Sequence, residues 1–166
     1  MQEDDSNFQI SISTACEKDI QTMVNLSYCK RRRYEKANPK FWKYAEGAEE
    51  IQTQWFKSLL EKEDFIILTA YLKEKIVGFI IGQIIEAPKV YNPLGLTLKI
   101  DDFCVSSSMM WHLIGGKLIN KAKQLSKEKG AQQILVVCGA HDRYKRQFLK
   151  NLKLTITSEW YTGEIV

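Results

Sequence analysis

A chain of 166 residues is of the size of one domain, which buries about two-thirds of the surface that its unfolded form exposes. Its composition is that of an ordinary globular protein, and its net charge of +4 permits an anionic ligand without indicating nucleic acid. No apolar run reaches the ~18 residues of a membrane helix, and the acidic start Met1–Asn7 is unlike a secretory signal, so we expect a cytoplasmic protein.

The N-terminal part of the chain begins with polar residues and continues into a strand and a helix. We expect residues 1–7 to form a flexible tail and residues 8–166 to form a single domain. Alternation of apolar and polar residues over Phe8–Thr14 predicts a half-buried strand, and helical spacing predicts a helix over about 17–35. The basic run Lys30–Arg33 closes this helix. We interpret the run as a solvated helix end, with attraction of an acidic or phosphorylated ligand as the alternative.

The middle of the chain predicts one helix and two paired strands. Asn38-Pro39 ends the first helix, and apolar residues at helical spacing predict a second one over 49–63. Two strongly apolar segments, 65–72 and 76–86, flank the short polar turn Lys73-Glu74-Lys75 and therefore predict an antiparallel hairpin.

The C-terminal part alternates strands and helices. We expect a strand over 96–105, a helix over 114–129 and a continuous apolar strand over 133–138. A helix over 143–151 follows, and the segment 154–166 favours a final strand.

This order of elements indicates an α/β fold. Strands joined by hairpins are antiparallel, whereas the strand–helix–strand unit over 96–138 is expected to be parallel. The predicted architecture is a mixed, mostly antiparallel, twisted sheet with helices on its faces.

The segment Ile100–Lys117 is a predicted strand that enters a helix through a short polar turn. A helix N-terminus offers unpaired N–H groups and the positive end of the helix dipole, which together favour an anion. Gly115 and Gly116 lie at the predicted start of that helix, and Lys117 or His112 would add positive charge. We therefore expect an anion site at this turn.

Carboxylates and a histidine near strand ends are the candidates for acid–base chemistry. Asp101 and Asp102 are adjacent in a strand and should face opposite sides, so one of them would serve a given site and the other would bond lysines or backbone. His141 follows a buried strand, where it would act as a base, contact a ligand or be structural. Glu86 is a further possible base, and Asp142 is expected to cap the last helix.

The four cysteines carry no motif. They are scattered without the Cys-x-x-Cys spacing of metal or redox sites, and we interpret them as free thiols in a reducing compartment. Two of them, Cys104 and Cys138, lie in apolar strands and are expected to be buried structural residues rather than nucleophiles.

Over about residues 8–160 the chain resembles the GCN5-related N-acetyltransferases (GNAT), which transfer an acetyl group from acetyl-CoA to an amine. The similarity is carried by the order of four segments: Ile12–Ile20, Ile76–Phe79, Ile100–Val105 and residues 142–154. The third of these segments is similar to the diamine and spermidine acetyltransferase branch of the family.

Two family motifs are altered. The cofactor loop Arg/Gln-x-x-Gly-x-Gly/Ala falls on Met110, Leu113 and Gly115, so that only its last glycine is present. A side chain at Leu113 narrows the approach of a pyrophosphate to the backbone N–H groups. The frequent tyrosine on the last helix falls on Leu149, and the glycine that follows it falls on Lys153. The proton for a leaving thiolate must then come from water, the substrate ammonium or another tyrosine.

The resemblance implies a set of site residues. It places an oxyanion donor on the backbone near Cys104 or Val105, and it favours Asp101 as the carboxylate beside the acceptor amine. It implies no metal. The residues expected to contact acetyl-CoA are Phe103, Cys104, Val105, Met110, Leu113, Ile114, Gly115, Gly116, Lys117, Asp142 and Lys145, with Lys145 either reaching the CoA phosphates or lying on a solvated face.

We therefore consider three functions. The first is an N-acetyltransferase in which a primary amine, of a cationic polyamine-like molecule or of a protein, attacks acetyl-CoA directly. The second is a GNAT fold without catalysis that binds CoA or another protein, and the third is a nucleic-acid binder that uses Lys30–Arg33. The short segment after Leu154 leaves little length for a terminal hairpin, so pairing with a second copy in a homodimer is also considered.

Overall fold

The computed structural model describes residues 9–165, so the predicted tail over 1–7, Phe8 and Val166 lie outside the described residues. These residues form five strands and four α-helices, in the order β1 (Ile10–Thr14), α1 (Ile20–Ala37), α2 (Ala48–Leu59), β2 (Phe65–Leu72), β3 (Lys75–Ile85), β4 (Leu96–Val105), α3 (Gly116–Glu128), β5 (Ala131–Val136) and α4 (Arg143–Asn151). None of the helices in this range combines the length and apolar character needed to span a bilayer.

The five strands form one sheet in the order β1-β2-β3-β4-β5. Neighbours from β1 to β4 pair antiparallel, and β4 pairs with β5 in parallel. The predicted mixed sheet with one parallel unit over 96–138 is confirmed. The parallel crossover brings the C-terminal ends of β4 and β5 to the same edge, where ligands bind in many α/β sheets.

Each face of the sheet carries its own apolar layer. On one face, α1 and α2 pack on alternate residues of β2, β3 and β4, with Met23, Val24, Phe56, Leu59, Phe79 and Cys104 in the layer. On the other face, α3 and α4 pack on the intervening residues, with Ile80, Ile100, Phe103, Leu118, Ile119 and Phe148 in the layer. Burial of both faces explains why β2 and β3 read as nearly continuous apolar runs.

Two glycines allow close approach of neighbouring elements. A Cβ atom on Gly78 of β3 would lie 2.7 Å from Cγ2 of Ile114 and 2.9 Å from the carbonyl oxygen of Cys104. A Cβ atom on Gly115 would lie 2.8 Å from the ring of Trp111. The segment that leads into α3 therefore packs directly on the sheet.

The predicted final strand over 154–166 is wrong for residues 154–165, which contain no strand. The chain leaves α4 through Lys153, whose φ of 62° lies in the left-handed region that favours glycine. Beyond it, four large apolar side chains are exposed, namely Ile156, Trp160, Tyr161 and Ile165. Strand propensity depends on neighbouring side chains, and in this structure the segment has no neighbouring strand on which to pack.

Candidate functional site

The parallel strands β4 and β5 separate at their C-terminal ends. Their register runs from Leu96–Ala131 to Ile100–Val136, and the Val137 N–H donates to the Ile100 carbonyl at 2.9 Å. Beyond this point the residues Phe103–Val105 continue along β3 without a partner from β5. The divergence, which we call the splay, leaves backbone groups of both strands facing a common space.

Lys145 of α4 fills the narrow end of the splay. Its side chain is buried, with the residue 1% exposed, and Nζ donates to the carbonyl oxygens of Phe103 at 3.3 Å and Val137 at 3.1 Å. Nζ also lies 5.3 Å from the ring centroid of Phe103 and 5.6 Å from that of Trp111. Lys145 was expected at a phosphate or on a solvated face, but its amine points into the protein instead.

Aromatic side chains pack beside that amine. Trp111 stacks on Phe148 with ring centroids 5.5 Å apart, and it meets Phe103 edge to face at 4.9 Å. Of the residues at the altered loop positions, Leu113 is half-exposed, while Ile114 belongs to the core and Met110 packs against it. Trp111 is therefore the side chain that packs against the splay, and Leu113 points away from the core.

The turn before α3 is helical rather than open. Residues Ser108–Met110 form a 3₁₀ turn and Trp111–Gly115 form a π-helical turn, so one helical path runs from Ser108 into α3. The Gly116 N–H is already paired with the carbonyl oxygens of Leu113 and Trp111. The unpaired N–H groups of this path belong to its first turn near Ser108, and not to Gly115 and Gly116, which the sequence predicted to open the helix. Lys117 turns towards β1, where Nζ contacts the Ile10 carbonyl at 3.4 Å.

A β-bulge places Asp101 and Asp102 on one side of the sheet. In the β3–β4 register Ile81 pairs with Asp102 and Gly82 pairs with Ile100, so Asp101 is an extra residue in β4. Both carboxylates line the same cleft on the side of α1 and α2. The expectation of opposite faces is therefore wrong, because it assumed regular alternation.

Asp102 is held in a buried ion pair. Its carboxylate accepts from Lys30 of α1, and Arg31 lies 3.8 Å from its other oxygen. Burial, the largest single effect, acts to raise the pKa of Asp102, but the charge and hydrogen bond of Lys30 together with the charge of Arg31 outweigh it and leave that pKa lowered. Burial acts to lower the pKa of Lys30, and Asp102 leaves it raised. Both groups are therefore charged at neutral pH, and Asp102 is not available as a base.

Asp101 faces a cleft of about 200 Å³ that is lined by carboxylates, two lysines and aromatic side chains. Asp101 is largely exposed and pairs with Lys99 at 3.0 Å, and Asp64 lies in the same cleft. The aromatic wall consists of Trp55 and Phe65, and Nζ of Lys62 lies 5.1 Å and 5.6 Å from their ring centroids. The further lining residues are Leu59, Ile81, Gln83 and Asp102. Sequence reasoning missed Asp64, which lies far from Asp101 in the chain and carries no local signal.

Tyr34 of α1 was also missed by sequence reasoning, and it connects His141 to the splay. The Tyr34 hydroxyl accepts from the Gly139 N–H at 2.9 Å, just beyond β5. Its ring meets that of His141 edge to face at 4.4 Å, and Nζ of Lys30 lies 5.9 Å from its centroid. Lys30 and Tyr34, one helical turn apart, thus link Asp102 to His141.

The remaining candidates lie outside this arrangement or act structurally. Burial lowers the pKa of His141, and its Nε2 has no hydrogen-bond partner within residues 9–165. Glu86 is exposed just past the end of β3, several residues along that strand from the partner of Asp102. Asp142 accepts from the Lys145 N–H at 3.1 Å, which confirms the predicted helix cap. Burial raises the pKa of the thiols of Cys104 and Cys138, which keeps them protonated.

The sequence and the fold were compared with known proteins. The model of the acetyltransferase (GNAT) family matches residues 30–152. The comparison with curated protein sequences gave no match.

The solved structures that resemble the chain include acetyltransferases. A mutant of the BH1408 protein from Bacillus halodurans superposes with a TM-score of 0.81 at 15% identity, covering 94% of this chain and 99% of that one. The aminoglycoside acetyltransferase meta-AAC0020 from an uncultured soil sample, solved with sisomicin, gives 0.65 at 23% identity, covering 97% and 100%. The aminoglycoside N-acetyltransferase AAC(6')-Iy, solved with CoA, gives 0.71 at 10% identity, covering 95% of each chain. Identities this low establish the fold alone, but the family model spans most of the chain, which therefore belongs to the GNAT acetyltransferase family.

Proposed function

We propose that this protein transfers an acetyl group from acetyl-CoA to the primary amine of a cationic acceptor. The observation that carries the proposal is the cleft beside the β4 bulge, where Asp64 and Asp101 stand against the aromatic wall of Trp55 and Phe65. Carboxylates attract an ammonium, and aromatic faces favour one that is partly desolvated. The lysine ammonium of Lys62 already lies against that wall, which is the contact expected of an acceptor.

The backbone of the splay offers groups that fit the amide-containing arm of CoA. Backbone groups alternate along a strand, and the Phe103 carbonyl faces the β5 side. The N–H groups of Phe103 and Val105 then face the same side, whereas Ser106 donates to Val77 of β3. Of the two donors expected near Cys104 or Val105, we propose Val105 for the acyl oxygen. Lys145 donates to two carbonyls of this surface, so the arm must replace these hydrogen bonds if it uses the same carbonyls.

In a direct attack, separate residues would accept the proton of the amine and protonate the leaving thiolate. Asp101 accepts the proton of the incoming ammonium or orients it through water, because Asp102 is committed to Lys30. Acetyl-CoA supplies the activated thioester. Tyr34 takes the place of the family tyrosine that is absent at Leu149. Burial raises the pKa of Tyr34, so its phenol stays protonated and can give a proton to a departing thiolate.

The second candidate is a GNAT fold that has lost catalysis and binds CoA or another protein. The observation that favours it is the filling of the splay by Lys145, Trp111 and Phe148. In that case Asp64 and Asp101 of the cleft would still bind a cationic segment of a partner protein. Nucleic-acid binding through Lys30–Arg33 is disfavoured, since Lys30 is committed to Asp102 and Arg32 to Glu35.

Calorimetry with acetyl-CoA, followed by an amine panel with detection of released thiol, tests the proposal. Binding together with thiol release that depends on a cationic amine would support the transferase. Binding without release would support the second candidate. Absence of heat and of any thermal shift at millimolar acetyl-CoA would contradict both.

We also propose a homodimer in which the C-terminal segment 155–165 of one copy pairs with the outer edge of β5 in the other. Within the described residues no strand covers that edge, and Leu135 and Val137 beside it are 37% and 43% exposed. The exposed apolar side chains of 155–165 are complementary to this edge. A sheet edge with unpaired N–H and C=O groups is a template for an added strand, and a second copy supplies such a strand at equal concentration.

A further inference from the structure

Among the residues that the structure describes, no carboxylate pairs with the buried Lys145. The nearest carboxylate on β4, Asp102, is engaged with Lys30, and the partners of the Lys145 amine are two backbone carbonyls. Nζ lies 5.3 Å from the ring centroid of Phe103 and 5.6 Å from that of Trp111, and these rings favour an ammonium, whereas burial acts against the charge. Burial lowers the pKa of Lys145, and the positive charge of Lys30 lowers it further.

The hydrogen bonds of this amine suit its neutral form. A neutral amine has two N–H hydrogens and one lone pair, whereas an ammonium has three donors. The carbonyls of Phe103 and Val137 accept two hydrogens. An uncharged Lys145 would therefore be satisfied as a donor and would keep its lone pair for reaction. Desolvation beside another cation is a recognised way in which proteins make a lysine nucleophilic.

The position of the amine coincides with that of the acyl group in the proposed function. Nζ of Lys145 contacts both strands at the narrow end of the splay, and the N–H of Val105 faces the same space. A thioester whose carbonyl oxygen accepts a hydrogen bond from the Val105 N–H would therefore lie next to Nζ of Lys145. Two reactive groups confined to one small space react at high effective concentration.

We propose that Lys145 is an internal acyl acceptor, so that the protein acylates its own buried lysine when an acyl thioester occupies the splay. This inference rests on the proposed function, which supplies the thioester. The neutral amine attacks the thioester carbonyl, the new C–N bond forms an amide, and the C–S bond breaks. The thiolate leaves with the electron pair of that bond and takes up the proton lost by the amine, so the products are acyl-lysine and free CoA.

Several charged or titratable groups surround Lys145 and shape its reactivity with pH. They are Lys30 on α1, Cys104 on β4, and Cys138 and Asp142 between β5 and α4. Asp102 of β4 pairs with Lys30 of α1, and its negative charge offsets the positive charge of Lys30. The tendency of Lys30 to disfavour a charged Lys145 is thus partly balanced, and burial remains the main cause of the lowered pKa.

Incubation of the whole protein with acetyl-CoA, followed by peptide mass mapping, tests the proposal. We expect the acetyl group to accumulate on Lys145 about tenfold faster than on Lys150, an exposed lysine of the same helix. K145R should abolish this modification because a guanidinium is not a nucleophile, and K150R should leave it unchanged. The unfolded protein with the same donor gives the uncatalysed rate for every lysine.

A second readout needs no acyl donor. Lysine side-chain amines labelled for NMR can be titrated in the wild type and in K145R, and we expect one resonance, lost in K145R, to titrate below the exposed lysines. A Lys145 that titrates with the exposed lysines would overturn the proposal. Binding of acetyl-CoA without modification of Lys145 would also overturn it while leaving the proposed function intact. If K145A then bound CoA more tightly, Lys145 would be an occupant that the ligand displaces. Absence of CoA binding to the wild type and to K145A would contradict the proposed function itself.

Discussion

Lys30 of α1 and Asp102 of β4 form a buried ion pair that joins the first helix to the strand bordering the splay. The two residues lie 72 positions apart in sequence, and Asp102 is one of the two adjacent carboxylates that the sequence offered either as a site residue or as a partner of lysines. It fixes the end of α1 that also carries Tyr34, and so it positions the phenol beside Gly139. The loss of unfolding free energy when the ion pair is removed therefore measures how strongly it stabilises the site.

We expect Asp102→Asn to lower the free energy of unfolding by about 3 kcal/mol, because it leaves the Lys30 ammonium buried without its partner. The double variant Lys30→Met with Asp102→Asn should recover most of this loss, since neither charge then remains. Urea denaturation of the wild type, Lys30→Met, Asp102→Asn and the double variant measures the coupling. Equal destabilisation by the single and double variants would contradict a coupled pair.

The same pair predicts the direction of a pH dependence. The pKa of Asp102 is lowered on folding, so its contribution is complete above the unfolded value of about 3.9 and is lost as the pH falls through the folded value. The pKa of Lys30 is raised on folding, so its contribution is complete below about 10.4 and is lost as the pH rises further. The stability difference between wild type and Asp102→Asn should be constant between these limits and should narrow in acid.

Neutralising the cleft should weaken binding of a cationic acceptor. We expect Asp101→Asn and Asp64→Asn each to raise KM for a cationic amine about fivefold, since each removes roughly 1 kcal/mol of attraction at a solvated site. Steady-state kinetics at low and high salt would measure the effect, which salt should reduce. Glu74→Gln, in the exposed turn between β2 and β3, is the matched control. An equal effect of the control would point to net charge rather than to the cleft.

Removal of the Tyr34 hydroxyl should slow turnover. We expect Tyr34→Phe to reduce kcat about 10²-fold if its phenol protonates the thiolate, and to lower stability by about 1 kcal/mol through loss of the bond from Gly139. Tyr144→Phe, on the exposed face of α4, controls for loss of a phenol. An unchanged kcat in Tyr34→Phe, measured with saturating substrates, would assign the proton to water or to the substrate.

Two glycine substitutions should act in opposite directions. Gly78→Ala places a Cβ atom against Ile114 and the backbone oxygen of Cys104, and we expect a loss of about 1–3 kcal/mol. Gly116→Ala meets no atom within 4 Å in the first turn of α3 and should gain about 0.5–1 kcal/mol. Thermal unfolding of both variants provides the measurement. Equal destabilisation would show that the start of α3 is not helical as described.

Removal of the segment after Leu154 tests the proposed dimer. We expect the wild type to elute as a dimer in size-exclusion chromatography with light scattering, and the shortened chain to elute as a monomer. The double variant Ile156→Ser with Trp160→Ser should weaken the dimer while retaining the length of the chain, because it removes two exposed apolar side chains. A wild type that remains monomeric at high micromolar concentration would contradict the proposal.

The sequence predicted the bounds of several elements from their apolar residues and from the turn signals that flank them. The bounds of β2, β4 and α4 agree with the expected 65–72, 96–105 and 143–151, since their apolar residues face one or two well-defined layers. The strand β5 begins at Ala131, before the expected 133, because Ala131 pairs with Leu96 although the polar Gln132 follows it, and the strand ends at Val136, before the expected 138. The segment 154–165 was mispredicted, since propensity cannot supply a neighbouring strand.

The candidate site was only partly predictable, because its residues meet through tertiary contacts. Asp101 and Asp102 were found from their position in an apolar strand, but the bulge that turns them to one side leaves no mark in the sequence. Lys145 was read as a surface lysine because most lysines are exposed, and its burial follows from how α4 packs against the splay. Tyr34 and Asp64 lack any local motif, so only the fold brings them near the other candidates.

The bulge at Asp101 adds one side chain to the cleft without changing the faces of the residues on either side of it. Ile100 pairs with Gly82 and Asp102 pairs with Ile81, so Ile100 and Phe103 both face α3 and α4, while Asp102 faces α1. Deletion of Asp101 would restore the regular alternation of side chains in β4 and would leave Asp102 beside Lys30 and Phe103 beside Lys145. We therefore expect the chain without Asp101 to fold, whereas insertion of one further residue into this strand would exchange the faces of the residues that follow it.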